Sequence, residues 1–248
     1  MRRQPEMKRM IVGAITSSAL LLTSLLAGSA TATAAGAQKK YSPDIRPSRF
    51  VDKVDNPYFP LTPGARWVYE ALTPDGNERT VVEVTNDTKK IAGIDAVVVH
   101  DTVAVDGQVI EDTFDWYAQD RDGNVWYLGE DTKEYENGKV SSTKGSWETG
   151  VKGALPGIVM EAHPKVGDKY RQEYFPPEAL DKAVVLGVKD DAAVPFGTVH
   201  DVVTTSDLNP LTPKAVEQKY YAPGVGLILE VMVSGGVEVV QLVEYTAP

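Results

Sequence analysis

The sequence predicts an all-β domain: an antiparallel up-and-down sheet of about 11–13 strands, curled into a half-barrel or barrel, with a two-layer sandwich as the alternative architecture. Three observations point there. Tight-turn dipeptides recur at short intervals, at Asp75-Gly76, Asp106-Gly107, Asp122-Gly123, Asn137-Gly138 and Gly235-Gly236. Asp-Gly and Asn-Gly supply the positive backbone angles that short hairpins require. The runs between them are rich in Val, Thr, Tyr and Trp, the residues that fit a pleated surface. Finally, only 177–183, beginning Pro177-Glu178-Ala179-Leu180, reads as a short helix.

The amino terminus precedes the domain. Arg2, Arg3, Lys8 and Arg9 make a basic start, an apolar run follows from Met10 to Leu26, and small residues crowd the stretch from Ala27 to Ala37. That order is a secretory signal peptide, placed at 1–34, with cleavage at one of Ala30, Ala32, Ala34 or Ala37. Residues 35–49 are polar and hold Pro43 and Pro47, which suggests a flexible tether. The single β-rich domain is then 50–248. Its first part, Asn56-Pro57-Tyr58-Phe59-Pro60-Leu61-Thr62-Pro63, holds too much proline for regular structure, and its apolar residues place it over one end of the core.

Strands are expected near 66–72, 79–85, 94–105, 109–119, 125–130, 132–136, 139–147, 169–175, 184–189, 199–206, 215–222, 227–234 and 237–245. No linker divides this stretch, so one core is expected.

Charge and cysteine content exclude several classes. The chain holds 25 basic and 35 acidic residues. Setting aside the four basic residues and one acidic residue through Ala37 leaves 21 against 34, a net charge of −13. Nucleic acid and anionic membrane surfaces recruit Lys and Arg, so neither is an expected partner after the leader is removed. There is no cysteine. Disulfides, thiolate metal sites and thiol nucleophiles are therefore excluded.

One hairpin can be registered from the sequence. A two-residue turn at Asp106-Gly107 puts Val105 opposite Gln108, Val103 opposite Ile110, Val99 opposite Phe114 and Val97 opposite Trp116. Those pairs define a buried face. The same register puts Asp101 opposite Asp112 on that face, where two charged carboxylates repel and burial favours the neutral form. A shared proton, a bound cation, or an arginine such as Arg66, Arg79 or Arg171 would resolve the conflict. The first two solutions make Asp101 and Asp112 candidates for acid–base work or cation binding. On the other face, His100 would lie across from Thr113 with Glu111 and Asp115 at the diagonals, an arrangement able to orient an imidazole. His163 and His200 show no zinc-ligand spacing.

The turn after this hairpin, Asp120-Arg121-Asp122-Gly123-Asn124, has the residue types of a calcium loop, with Asp120, Asp122 and Asn124 as the ligand candidates. The helical calcium loop needs Gly at its sixth position and Glu at its twelfth, which here are Val125 and Asp131. A plain hairpin turn accounts for the same residues, and no cofactor is expected. In that hairpin Trp126 and Leu128 join Phe114 and Trp116 on the buried face. Tyr117 faces Tyr127 outside, a candidate aromatic shelf for a ligand together with Glu111 and Asp115.

Several motifs occur as a set: Glu111-Asp112-Thr113-Phe114-Asp115-Trp116-Tyr117-Ala118-Gln119-Asp120, Asp122-Gly123-Asn124-Val125-Trp126-Tyr127, Gly145-Ser146-Trp147-Glu148, Gly153-Ala154-Leu155-Pro156-Gly157-Ile158 and Lys219-Tyr220-Tyr221-Ala222-Pro223-Gly224-Val225-Gly226. In these the chain resembles an uncharacterised family of exported bacterial β-rich proteins, over roughly 56–245. The resemblance implies export and one domain, and supplies no catalytic residue.

The functional expectation is a secreted, non-catalytic binding protein for an apolar or amphipathic small molecule, its partner being that molecule or a component of the cell envelope. A cell-surface interaction module is one alternative. A hydrolase or cation-dependent enzyme built on Asp101 and Asp112 is the other.

Overall fold

A computed structural model describes residues 41–248. The expected signal peptide lies outside the described residues. Eighteen strands follow in chain order: β1 (Phe50–Val51), β2 (Asp55–Asn56), β3 (Phe59–Pro60), β4 (Arg66–Thr73), β5 (Gly76–Ile91), β6 (Ile94–Val105), β7 (Gln108–Asp120), β8 (Val125–Glu136), β9 (Lys139–Ser142), β10 (Trp147–Glu148), β11 (Leu155–Met160), β12 (Lys169–Arg171), β13 (Glu173–Tyr174), β14 (Lys182–Val194), β15 (Gly197–Leu208), β16 (Val216–Ala222), β17 (Gly226–Ser234) and β18 (Val239–Thr246).

Thirteen of them form one antiparallel path, β12-β14-β15-β16-β17-β18-β4-β5-β6-β7-β8-β11-β13. Its two end strands are separated in the chain by Gln172 alone. The path therefore comes round on itself as a nearly closed barrel, the solution a long twisted sheet takes to hide its edges. The long meanders β4–β8 and β14–β18 make most of the wall. Along β8, three short strands share one edge in turn: β9 beside its far end, β10 beside Gly129–Glu130, and β11 beside Val125–Tyr127.

The helix expected over 177–183 does not form. Two prolines open that stretch, and the backbone turns there, with Phe175 and Ala179 bridged across it. Among the described residues the one helical element is a 3-10 turn at Pro47–Arg49.

The barrel has two apolar clusters. The larger lies inside and includes Trp67, Tyr69, Val84, Val99, Tyr117, Tyr127, Trp147, Tyr221, Ile228 and Leu242. The smaller lies on the outer face of β6–β8, where Trp116, Trp126, Leu128, Ala118, Val98 and Ile94 pack together with Phe50. Residues 41–51 cover this outer patch. Ile45 packs onto it, β1 pairs with β7, and the Tyr41 hydroxyl donates to the Pro156 carbonyl at 2.8 Å. The stretch read as a tether is thus docked on the barrel from Tyr41 onward.

The proline-rich segment caps one mouth. Phe59 and Leu61 enter the inner cluster, and the Phe59 ring meets Tyr117 edge-on at 5.3 Å. Gln119 fastens this cap: its side-chain oxygen accepts from the Asp55 and Asn56 amides at 2.9 and 2.8 Å, and its nitrogen donates to the Asp55 carboxylate at 2.7 Å.

Candidate functional site: the acidic lumen

The hairpin β6–β7 opens as the sequence register requires, with Val105 opposite Gln108 and Ala104 opposite Val109. The next pair is Val103 opposite Glu111, so Ile110 is bulged out. One extra residue turns every later side chain of β7 to the other face of the sheet. Asp101 consequently faces Thr113, while Asp112 faces Thr102. Asp101 points into the barrel and Asp112 points out. The expected Asp101–Asp112 carboxyl pair does not exist, and neither does the chemistry built on it.

The same shift reverses the other assignments on β7 and β8. Phe114, Trp116, Trp126 and Leu128 lie outside the barrel, where residues 41–51 cover most of them. Tyr117 and Tyr127 do face each other, but inside, stacked at 4.9 Å between ring centres and fully buried. His100 is outside with Asp112, stacked on Phe114 at 4.4 Å, with its Nε2 2.6 Å from the Asp112 carboxylate. Glu111 and Asp115, expected beside His100, point into the lumen. The imidazole is therefore held at the surface, away from the inner groups.

A second bulge, at Leu128–Gly129, completes the inner site. Tyr127 and Glu130 are three residues apart and would lie on opposite faces of a regular strand. The shift between the pairs Trp116–Gly129 and Tyr117–Tyr127 turns both inward. Gly129 makes this possible. Its φ is +137°, and a Cβ there would lie 2.2 Å from the Trp147 carbonyl oxygen. No side chain fits against that crossing strand.

The lumen wall over β5–β8 thus carries Glu78, Asp101, Glu111, Asp115 and Glu130, interleaved with Thr80, Thr113 and Thr132. The Tyr127 hydroxyl donates to Asp115 at 2.6 Å. The Thr113 hydroxyl donates to Glu111 at 3.1 Å and accepts from Thr132 at 2.7 Å. Among the buried polar atoms without a hydrogen-bond partner are Asp101 Oδ1, Glu130 Oε2 and the Tyr117 hydroxyl. Their residues are 2%, 3% and 1% exposed. Burial, then repulsion from Asp115 and Glu111, pushes Asp101 well above the ordinary carboxyl range. Burial, then Asp115 and Glu173, does the same to Glu130. Asp115 is raised to about 7, chiefly by burial, with the Tyr127 hydrogen bond opposing.

Across the lumen, on β15–β17, the chain supplies its own cation. Lys219 is buried, with its ammonium 3.5 Å from Asp207, 3.7 Å from Glu230 and 3.8 Å from Glu217. Burial alone would lower its pKa, but these carboxylates outweigh burial and hold it well above the lysine range. Asp207 is further satisfied by the Gln172 amide at 2.9 Å and the Thr205 hydroxyl at 2.6 Å.

An apolar cavity of about 50 Å³ adjoins the acidic wall, bounded by Phe59, Leu61, Trp67, Tyr69, Val82 and Tyr221. Val82 is the cross-strand neighbour of Asp101 on the same inner face. Larger surface clefts lie at the two ends. One, of about 540 Å³, runs beside the cap between Asn56, Gln119 and His163; the other, of about 780 Å³, lies by the turns at Asn77 and Asp106.

The Asp120 loop is a hairpin turn braced by its own aspartate. The Asp120 carboxylate accepts from the Asp122 and Asn124 amides, the Asn124 side chain and the Trp126 indole, at 2.9–3.3 Å. Asp122 points away to pair with Arg49, and the Asn124 oxygen accepts from the Ala162 amide. These contacts leave Asp120, Asp122 and Asn124 facing protein donors rather than one another. Among the described residues no group of three His, Asp or Glu side chains converges as metal ligands would.

Sequence reasoning missed Glu78, Glu130, Lys219 and Glu230. A signal was present in β16, where Glu217, Lys219 and Tyr221 alternate on one face. Alternating charge of that kind is ordinarily read as a solvent face.

Among solved structures, the chain is similar to the crystal structure of a protein assigned as a lipoprotein from Parabacteroides distasonis, with a TM-score of 0.43 and 13% identity over 76% of this chain and 98% of that one. No protein-family model matches the chain, and no curated protein does. The resemblance to an exported family stands on the motifs quoted for it alone.

Proposed function

We propose that the protein is an exported, non-catalytic binding protein whose barrel lumen takes a small amphipathic molecule. The observation that carries this reading is an apolar cavity whose wall residue Val82 pairs across the sheet with Asp101, together with buried polar atoms on the same inner wall, Asp101 Oδ1, Glu130 Oε2 and the Tyr117 hydroxyl, that have no partner. Leaving a buried polar group unpaired costs about 1–3 kcal/mol, so a ligand that pairs with it is bound in proportion. Apolar walls with a few convergent polar groups are the usual make-up of a small-molecule site.

Native mass spectrometry of the protein purified from its own host tests this. A copurifying small molecule, lost in a Val82→Trp variant that fills the cavity, is the expected result. A chain of bare mass from its own host, with a Val82→Trp variant as stable as the parent, would remove the lumen as a binding site. Amino-terminal sequencing of the secreted chain tests export, with a start between residues 31 and 38 expected.

A further inference from the structure

We infer that the charged end of that molecule is an organic ammonium, seated against Asp101 and Glu130 and the Tyr117 hydroxyl in the β5–β8 half of the lumen. This rests on the lumen-binding reading and adds the chemical class of the ligand.

The lumen itself contains the precedent. In the β15–β17 half, a primary ammonium on an aliphatic stem, Lys219, sits among three carboxylates at 3.5–3.8 Å. The β5–β8 half also buries carboxylates, Asp101, Asp115 and Glu130, around the Tyr117 side chain. Among the described residues, no lysine or arginine offsets these three acids. Acidic side chains gathered in one place do not by themselves make a site. The independent sign is the Tyr117 hydroxyl, a neutral group, 1% exposed, unpartnered, and buried beside Asp115, Glu130 and Asp101.

The neighbours select an organic cation over a metal ion. No three acidic or imidazole side chains among the described residues converge at metal-ligand distances. The Tyr69 and Tyr221 rings and Val82 border the adjoining cavity. Aromatic faces attract a desolvated cation, and the apolar wall suits a short alkyl chain. The cavity of about 50 Å³ keeps that chain to a few carbons.

Seating a cation favours the ionised form of these carboxyls, so binding strengthens as pH rises. The groups that act on them are Tyr69 from β4, Glu78 from β5, Glu111, Asp112, Asp115 and Tyr117 from β7, Tyr127 and Glu130 from β8, Glu173 from β13 and Asp181 just before β14, with Tyr221 and Glu230 across the lumen. None of these is a cation that would counter the trend. A primary amine, with an ordinary pKa of about 10, stays charged throughout.

The test uses n-butylamine, the side chain of lysine without its backbone, against 1-butanol as the uncharged match. Both are titrated calorimetrically into the exported chain at pH 5.5 and pH 8. The expected result is an amine at least tenfold tighter than the alcohol at pH 8, with the preference shrinking severalfold at pH 5.5. Asp101→Asn should erase the preference while leaving alcohol binding intact, and Tyr117→Phe should reduce it severalfold. Glu130→Gln serves in place of Asp101→Asn if that variant does not fold. Equal binding of amine and alcohol would overturn the cation assignment and leave the lumen site standing. An amine preference that survives all of these substitutions would place binding elsewhere and overturn the assignment too. Failure of both probes at both pH values would remove the cation assignment and the lumen reading together.

Discussion

The two halves of the lumen hold similar acids in different company. On β15–β17, Asp207, Glu217 and Glu230 surround Lys219, and Asp207 gains a buried amide and a hydroxyl as well. On β5–β8, Asp115 accepts one hydroxyl, while Asp101 and Glu130 each keep an oxygen without a partner. One half carries a cation of its own. The other is held by the barrel around it rather than by its own contacts.

The sharpest way to break the contrast is to remove the cation from the half that has one. Lys219→Met keeps the apolar stem and strands the buried Asp207 and Glu230 with the half-buried Glu217. A loss of about 3–5 kcal/mol is expected in urea unfolding, since breaking a buried ion pair leaves an uncompensated charge. A loss below about 1 kcal/mol would mean that the two halves are electrostatically alike.

The second test is pH. Asp115 is raised from 3.8 to about 7 in the folded chain. Its contribution to stability is therefore complete below its unfolded pKa and disappears as pH climbs towards 7. Asp101 and Glu130 shift in the same direction. Stability should fall as pH rises across this window, by about 1.4 kcal/mol per pH unit for each group whose proton the folded state alone retains. Glu130→Gln should flatten the slope and stabilise the protein at pH 8, as judged by denaturation midpoints. A slope of the opposite sign would mean that these carboxyls are paired in solution.

Tyr127→Phe is a milder probe of the same half. It removes the donor on Asp115 and should cost about 1–2 kcal/mol while pushing the Asp115 titration above its present value, followed by carboxyl NMR. The smallest effect belongs to the surface. Asp112→Asn, one strand register away from Asp101 but outside the barrel, should change stability by no more than about 0.5 kcal/mol.

The all-β class and the antiparallel meander were legible because turn dipeptides and β-branched runs act locally. The cap at Phe59–Leu61 was legible for the same reason. The inside and outside of β7 were not. Alternation shows that Glu111, Thr113, Asp115 and Tyr117 share a face, and that Asp112, Phe114 and Trp116 share the other. It does not say which face is inward. A row of acids beside a row of tryptophans reads naturally as acids outward. The bulge at Ile110 and the cover supplied by residues 41–51 reverse that reading, and both are tertiary features. Lys219 was hidden for a related reason: its three partners come from three strands.

The ring of strands is completed by very little chain. Lys169–Arg171 and Glu173–Tyr174 are the end strands, joined through Gln172, whose backbone amide donates to the Asp181 carbonyl just before β14 at 2.8 Å. Elsewhere the wall is woven from hairpins of a dozen residues or so. A hoop with one short splice parts at the splice first, without unfolding of the long hairpins. Amide hydrogens along 169–174 should accordingly exchange with deuterium well ahead of those on β6 and β7.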